Sequence, residues 1–136
     1  MMEKTFAIIK PHAVASKHTG DIISLIEKNG FEIVGMEKLQ LSKKQAEHFY
    51  AIHNEKPFFG ALVDNIIAGP VLVMVLQKDD AIKAWRDFMG ATDPLKATPG
   101  TLRKIFGQSI DFNATHGSDS SENALLEIRQ FFPNLA

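Results

Sequence analysis

Cysteine is absent from the 136 residues, which excludes disulfides, thiolate metal sites and a cysteine nucleophile. Long apolar runs are also missing. The run Val71–Leu76, VLVMVL, is far too short to span a bilayer. The opening stretch MMEKTFAIIKPHAV has no small-residue cleavage pattern and meets Pro11 early, so a secretory leader is not expected and the cytoplasm is. Charge of one sign is lacking too: 15 basic against 16 acidic residues leave −1, no basis for nucleic-acid binding. Neither G-x-x-x-x-G-K-[ST] nor G-x-G-x-x-G occurs, so the two common backbone phosphate cradles are absent. G-x-S-x-G and H-E-x-x-H are missing as well, which weakens a serine hydrolase and a zinc site. There are three arginines, one tryptophan and one tyrosine.

What is present is an alternation of strand and helix signals. Thr5–Lys10 is a β-branched apolar run closed by Pro11, as in a strand buried on both faces. Ile22, Ile23 and Ile26 lie on one helical face between Asp21 and Asn29, with Gly30 as the stop. Phe31–Leu41 alternates roughly in twos, a second strand. Ser42 and Gln45 have capping-box spacing before a third segment, helical through Phe49 and Tyr50. Pro57 is placed to begin a helix that Gly69 ends. Pro70 opens the next buried strand, and Asp79 and Asp80 suit the positive N-terminus of a helix carrying Trp85. From Gly90 to about Ile110 the chain is irregular, with a helical turn near Thr101–Phe106; such stretches in small domains are usually functional or disordered. Ile110–His116 is expected to return as strand, and Asp119–Glu122 to cap a last helix. The order predicts one domain over 1–136, an α+β sandwich of ferredoxin-like βαββαβ type with a four-stranded, antiparallel-containing sheet.

The chemistry gathers around N-A-T-H-G-S-D-S, residues 113–120. Neutral imidazole is a good nucleophile toward phosphorus when one ring nitrogen is free and the other is held by an acceptor. Glu127, eleven residues after His116, can fold back to supply that acceptor. His12, His18, His48 and His53 are expected to face solvent or pack. With no backbone cradle, side chains must hold an anion. Residues 86–108 carry Arg86, Lys96, Arg103 and Lys104 against Asp87 and Asp93, a local excess of +2. Arg86 equally fits a solvated helix end. Lys10, closing a buried strand, sits where α/β ligands gather or else snorkels out of the core. Phe58 can stack on a base or join the core, and Tyr50 can bond a phosphate or plug a helix face.

Taken in register, NATHGSDS, IIKPHAV, KPFFGALV, AGPVLVMVL, RDFMGATDP and PGTLR resemble the nucleoside diphosphate kinases, from about Thr5 to Phe132. The resemblance, to the shorter bacterial members, implies ping-pong transfer of the γ-phosphate from a nucleoside triphosphate to a diphosphate through a phosphohistidine at His116. It implies that Glu127 bonds the other ring nitrogen with Ser118 in support. Lys10, Tyr50, Arg86, Thr92, Arg103 and Asn113 fall on phosphate and ribose contacts. Phe58 falls under the base, with Leu62 and Ile110 beside it. Magnesium is implied as cofactor, carried by the nucleotide phosphates, with Asp119 able to reach it through water. A homo-oligomer is implied, with Pro94 in a loop where subunits meet; membrane and nucleic acid are not expected partners. Two positions depart from the pattern. His12 stands where aspartate or asparagine is common, a change expected to alter a turn contact and spare Lys10. Ile105 stands where many members are acidic, which removes an expected ion-pair partner.

Overall fold

Two strands made almost wholly of apolar residues must be covered on both sides, and that requirement organises the molecule. In the computed structural model, which describes residues 2–136, β1 (Met2–Ile9) and β3 (Val71–Asp79) lie side by side at the centre of a four-stranded sheet. β2 (Glu32–Leu39) flanks β3 and β4 (Thr115–Gly117) flanks β1, giving the order β2-β3-β1-β4. Every pairing is antiparallel. This is the ferredoxin-like arrangement the element order predicts.

Strand periodicity divides the core into two. Phe6, Ile8, Val71, Val73 and Val75 face α3 (Lys43–Phe49), α4 (Phe59–Ile66) and α7 (Ser121–Phe131), where Phe49, Val63, Ile66 and Ile128 are buried. Ala7, Ile9, Leu72, Met74 and Leu76 face α2 (Thr19–Lys28), α5 (Ala81–Met89) and α6 (Leu102–Phe106), against Ile22, Ile26, Trp85 and Leu102. Burying each such aliphatic side chain contributes about 1.5–3 kcal/mol, so the central strands are a firm base for whatever their ends carry. A short helix, α1 (Pro11–Ala15), follows β1 directly, with Pro11 in its first turn and Lys10 as its N-cap.

The boundaries differ from the sequence reading in instructive places. Ser42 and Gln45 do form a reciprocal capping box. Asp80 stands at the N-cap position of α5, as its charge suggests, but at φ +50 and with no side-chain cap bond; Glu3 from β1 accepts the Ile82 amide at 3.0 Å instead. α4 begins at Phe59 rather than Pro57. The run Ile110–His116 is strand only from Thr115, because Ala114 turns at φ +76 and β4 is left with three pairs to β1. β2 carries an irregularity between Ile33 and Gly35, where Leu135 and Phe132 from the C-terminal segment press on the backbone.

Candidate active site

β4 and the loops at this end of the sheet wall a cleft of about 980 Å³. His116 lies opposite Ile8 in the β1–β4 ladder, and its carbonyl accepts the buried Trp85 indole N–H at 3.1 Å. The next residue must be glycine. A Cβ on Gly117 would collide with the Trp85 ring and lie 2.7 Å from Met89 Cε. The absence of a side chain there lets β4 press onto α5 and fixes where the imidazole emerges.

The ring is steadied from behind. His116 Nε2 lies 3.1 Å from Glu127 Oε1, projecting from α7, and the Ser118 hydroxyl donates to the same oxygen at 2.8 Å. Ser118 is itself locked against β1, accepting from Phe6 N at 3.2 Å while its own amide donates to Phe6 O. A carboxylate cannot donate, so Nε2 carries the proton and Nδ1 keeps its lone pair. Among the described residues nothing bonds Nδ1. Phe49 meets the ring edge-on at 5.0 Å and limits its rotation. His116 and Glu127 are only 20% and 15% exposed, open to the cleft and little else.

Positive charge is concentrated on the same wall. Lys10 Nζ donates to Asn113 Oδ1 at 2.8 Å, and Asn113 Nδ2 reaches Thr92 O at 3.3 Å. Burial, with the Arg103 charge adding to it, lowers the Lys10 ammonium to a pKa of about 8, and Asp111 partly offsets this. Arg103 is buried, with its terminal nitrogens on Gly90 O and Thr115 O at 3.1 and 3.0 Å. Its Nε is buried and has no partner among the described residues. Burial and the neighbouring Arg86 lower its pKa to about 10. Two buried or crowded cations held at such cost mark a place prepared for an anion. Asp119 has its carboxyl held below the usual carboxylate range, chiefly by the Asn123 amide, which donates to it at 2.6 Å.

The other end of the cleft is apolar. Phe58 and Ile110, 47% and 57% exposed, form its lips with Leu62 between them and the interior. Tyr50 is buried beneath, its hydroxyl pKa raised by burial and then by the Glu127 charge. The structure therefore brings to one cleft Lys10, Tyr50, Phe58, Leu62, Arg86 and Thr92, together with Arg103, Ile110, Asn113, His116, Asp119 and Glu127. Ser118 lies behind the wall, where its hydroxyl meets Glu127. Ile105 is a half-exposed residue of α6, which forms without the acidic side chain expected there.

Two residues assigned to packing or solvent also belong to the cleft. His53 lies between Tyr50 and Phe58, with ring centroids 6.5 and 5.6 Å away. His12 lines the cleft floor and accepts the Ala114 amide at 2.8 Å. Only the IIKPHAV stretch, where His12 departs from the resembled pattern, signalled the second; nothing in the sequence signalled the first. His18, packed on Phe106, and His48, exposed, are as expected.

Fold and cleft define a class: an α+β sandwich with a ferredoxin-like sheet, in which an imidazole held by a carboxylate shares one cleft with lysine and arginine side chains. The model of the family described as nucleoside diphosphate kinase matches residues 3–136. A nucleoside diphosphate kinase from Methylocella silvestris is 56% identical over 131 residues, covering 96% of this chain and 94% of that protein. One from Chlamydia abortus is 55% identical over 96% and 93%. In three dimensions the Aquifex aeolicus nucleoside diphosphate kinase superposes with a TM-score of 0.96 at 37% identity, covering 99% of this chain and 98% of that one. The chain belongs to the nucleoside diphosphate kinase family.

Proposed function

We propose that the chain moves the γ-phosphoryl group of a nucleoside triphosphate onto His116 and from there onto a second nucleoside diphosphate. One observation carries this reading: Glu127 engages His116 Nε2, which leaves Nδ1 as the free nitrogen of a residue lining one cleft with Lys10, Arg86 and Arg103. In the first half-reaction the Nδ1 lone pair bonds to the γ-phosphorus. The bond from that phosphorus to the β–γ bridging oxygen breaks, and its electron pair leaves on the diphosphate. The ring becomes cationic as the bond forms, and the Glu127 carboxylate, fixed by Ser118, stabilises that charge. The second half-reaction runs the same events in reverse toward a new diphosphate.

Lys10, Arg86 and Arg103 bind and align the phosphates, lowering the cost of in-line approach. Asn113 and Thr92 place Lys10 and the sugar end, with Tyr50 beneath. Phe58 stacks on the base with Leu62 and Ile110 beside it, a platform indifferent to base identity. The donor set suits magnesium carried on the nucleotide rather than held by a protein cage: among the described residues no three His, Asp or Glu side chains converge. Asp119, ionised on the cleft wall, is the residue that would hold one of its waters. Bound there, magnesium neutralises phosphate charge.

Among the described residues no helix is long and apolar enough to cross a membrane. A cytoplasmic homo-oligomer is the setting that the family resemblance implies for this activity. The test is intact-protein mass spectrometry after brief exposure to ATP and magnesium. One acid-labile phosphate is expected on the wild type and none on His116→Ala; an unlabelled wild type, or labelling of the variant, overturns the covalent route.

A further inference from the structure

The turn that delivers Asn113 to Lys10 is an unfavourable one. Thr115 N donates to Asn113 O at 2.9 Å across Ala114, whose φ is +76, a three-residue turn of the hand that L-residues avoid. Such a turn persists only where its surroundings hold it, and here both polar groups of Ala114 are gripped by one short segment. Lys10 N donates to Ala114 O at 2.8 Å, and Ala114 N donates to His12 Nε2 at 2.8 Å.

We propose that His12 is a positioning residue: its neutral imidazole accepts the Ala114 amide, holds Asn113 against Lys10, and releases that turn when Nε2 takes a proton. The inference rests on the nucleotide-binding reading of the cleft. A backbone amide can only donate, so Nε2 must present a lone pair and the ring proton must sit on Nδ1. Nδ1 is buried without a partner among the described residues, and the Phe112 ring meets the imidazole nearly perpendicular at 5.6 Å. A second proton would set N–H against N–H and break the contact outright.

The groups facing the ring oppose that proton. Lys10 at the start of α1 and His18 at the start of α2 both act against positive charge on the ring. From the loop itself Asp111 contributes a carboxylate whose charge acts on Lys10. Burial first, then Lys10 and His18, lowers the His12 pKa below the ordinary imidazole value. The turn is therefore closed at neutral pH and opens as pH falls through that lowered value. Three links connect His12 to the phosphates: the Ala114 amide, the Asn113 side chain and the Lys10 ammonium.

The experiment measures the affinity of ADP for the unphosphorylated protein by calorimetry, from about pH 8 down to about pH 5. His12→Phe keeps a ring and removes the acceptor. His12→Gln can place an amide oxygen near Nε2 and does not titrate. At neutral pH the Phe variant is expected to bind ADP roughly 10-fold more weakly, as for one lost hydrogen bond, and the Gln variant within about 3-fold of wild type. On acidification wild type should lose affinity more steeply than His12→Gln; every other group of protein and ADP is common to both, so their difference isolates His12. Parallel acid losses, or a Phe variant that binds like wild type, would overturn the proposal. Ring-nitrogen NMR gives a readout independent of nucleotide: His12 should be the Nδ1–H tautomer at neutral pH, and an Nε2–H tautomer refutes it. Failure of wild type to bind ADP at all would count against the nucleotide reading, with the tautomer still deciding the role of His12.

Discussion

Lys10 shows how a single residue couples protonation to ligand. Its pKa in the free cleft is about 8, lowered by burial more than by Arg103. A phosphate placed against the ammonium favours the charged form and must raise that value. Between the free and bound values, binding therefore draws a proton from solvent, and affinity falls as pH rises above about 8. Calorimetry of ADP binding in buffers of different ionisation enthalpy should show net proton uptake near that pH; zero uptake would remove Lys10 from the phosphate site. Glu127 makes a second case. In Glu127→Gln the side chain still accepts from Nε2, so ring geometry is kept while the negative charge opposite a developing imidazolium is lost. The rate of His116 phosphorylation in a single turnover should drop of the order of 10²-fold, with ADP affinity nearly unchanged. Equal losses in rate and affinity would show that Glu127 serves mainly to shape the cleft.

At the scale of elements, the strands were legible because burial on both faces leaves an unbroken apolar signature, as in Val71–Leu76. The Ser42 box was legible because both its partners lie three residues apart on the chain. What stayed hidden depends on distant partners. Glu3 caps α5 from the neighbouring strand, a role that local spacing around Asp80 cannot reveal. β4 begins only at Thr115 because Lys10 and His12 hold Ala114 in its turn, although Ile110 and Phe112 favour strand. The motif pointed to the residues that line the cleft, whereas the His116–Glu127 contact, the Arg103 carbonyl contacts and the bond from Ala114 to His12 required the fold. Gly117 belongs to this scale, being the point where β4 and α5 meet. Gly117→Ala should destabilise the protein by about 1–3 kcal/mol, since Trp85 is fully buried and cannot yield. Equilibrium denaturation would register that loss, and unchanged stability would mean that α5 can shift away from β4.

For the whole molecule, the distribution of exposed apolar surface matters more than its total. A net charge of −1 offers little mutual repulsion between copies. Leu95, next to Pro94 in the short helical turn after α5, is 84% exposed, and Met36 on β2 is half-exposed. β2 is also an outer strand, with its far edge unpaired within the sheet. The proposed homo-oligomer would bury the Leu95 side chain, because the family resemblance implies that subunits meet at the Pro94 loop. Sedimentation of the wild type should therefore give a mass that is a multiple of 15.1 kDa. Leu95→Glu puts a charge where that contact would close, far from the strand core, so circular dichroism should be unchanged while the mass falls toward that of one chain. A wild type that already sediments as one chain would refute the assembly, and an assembly unmoved by the substitution would place its interface away from the Pro94 turn.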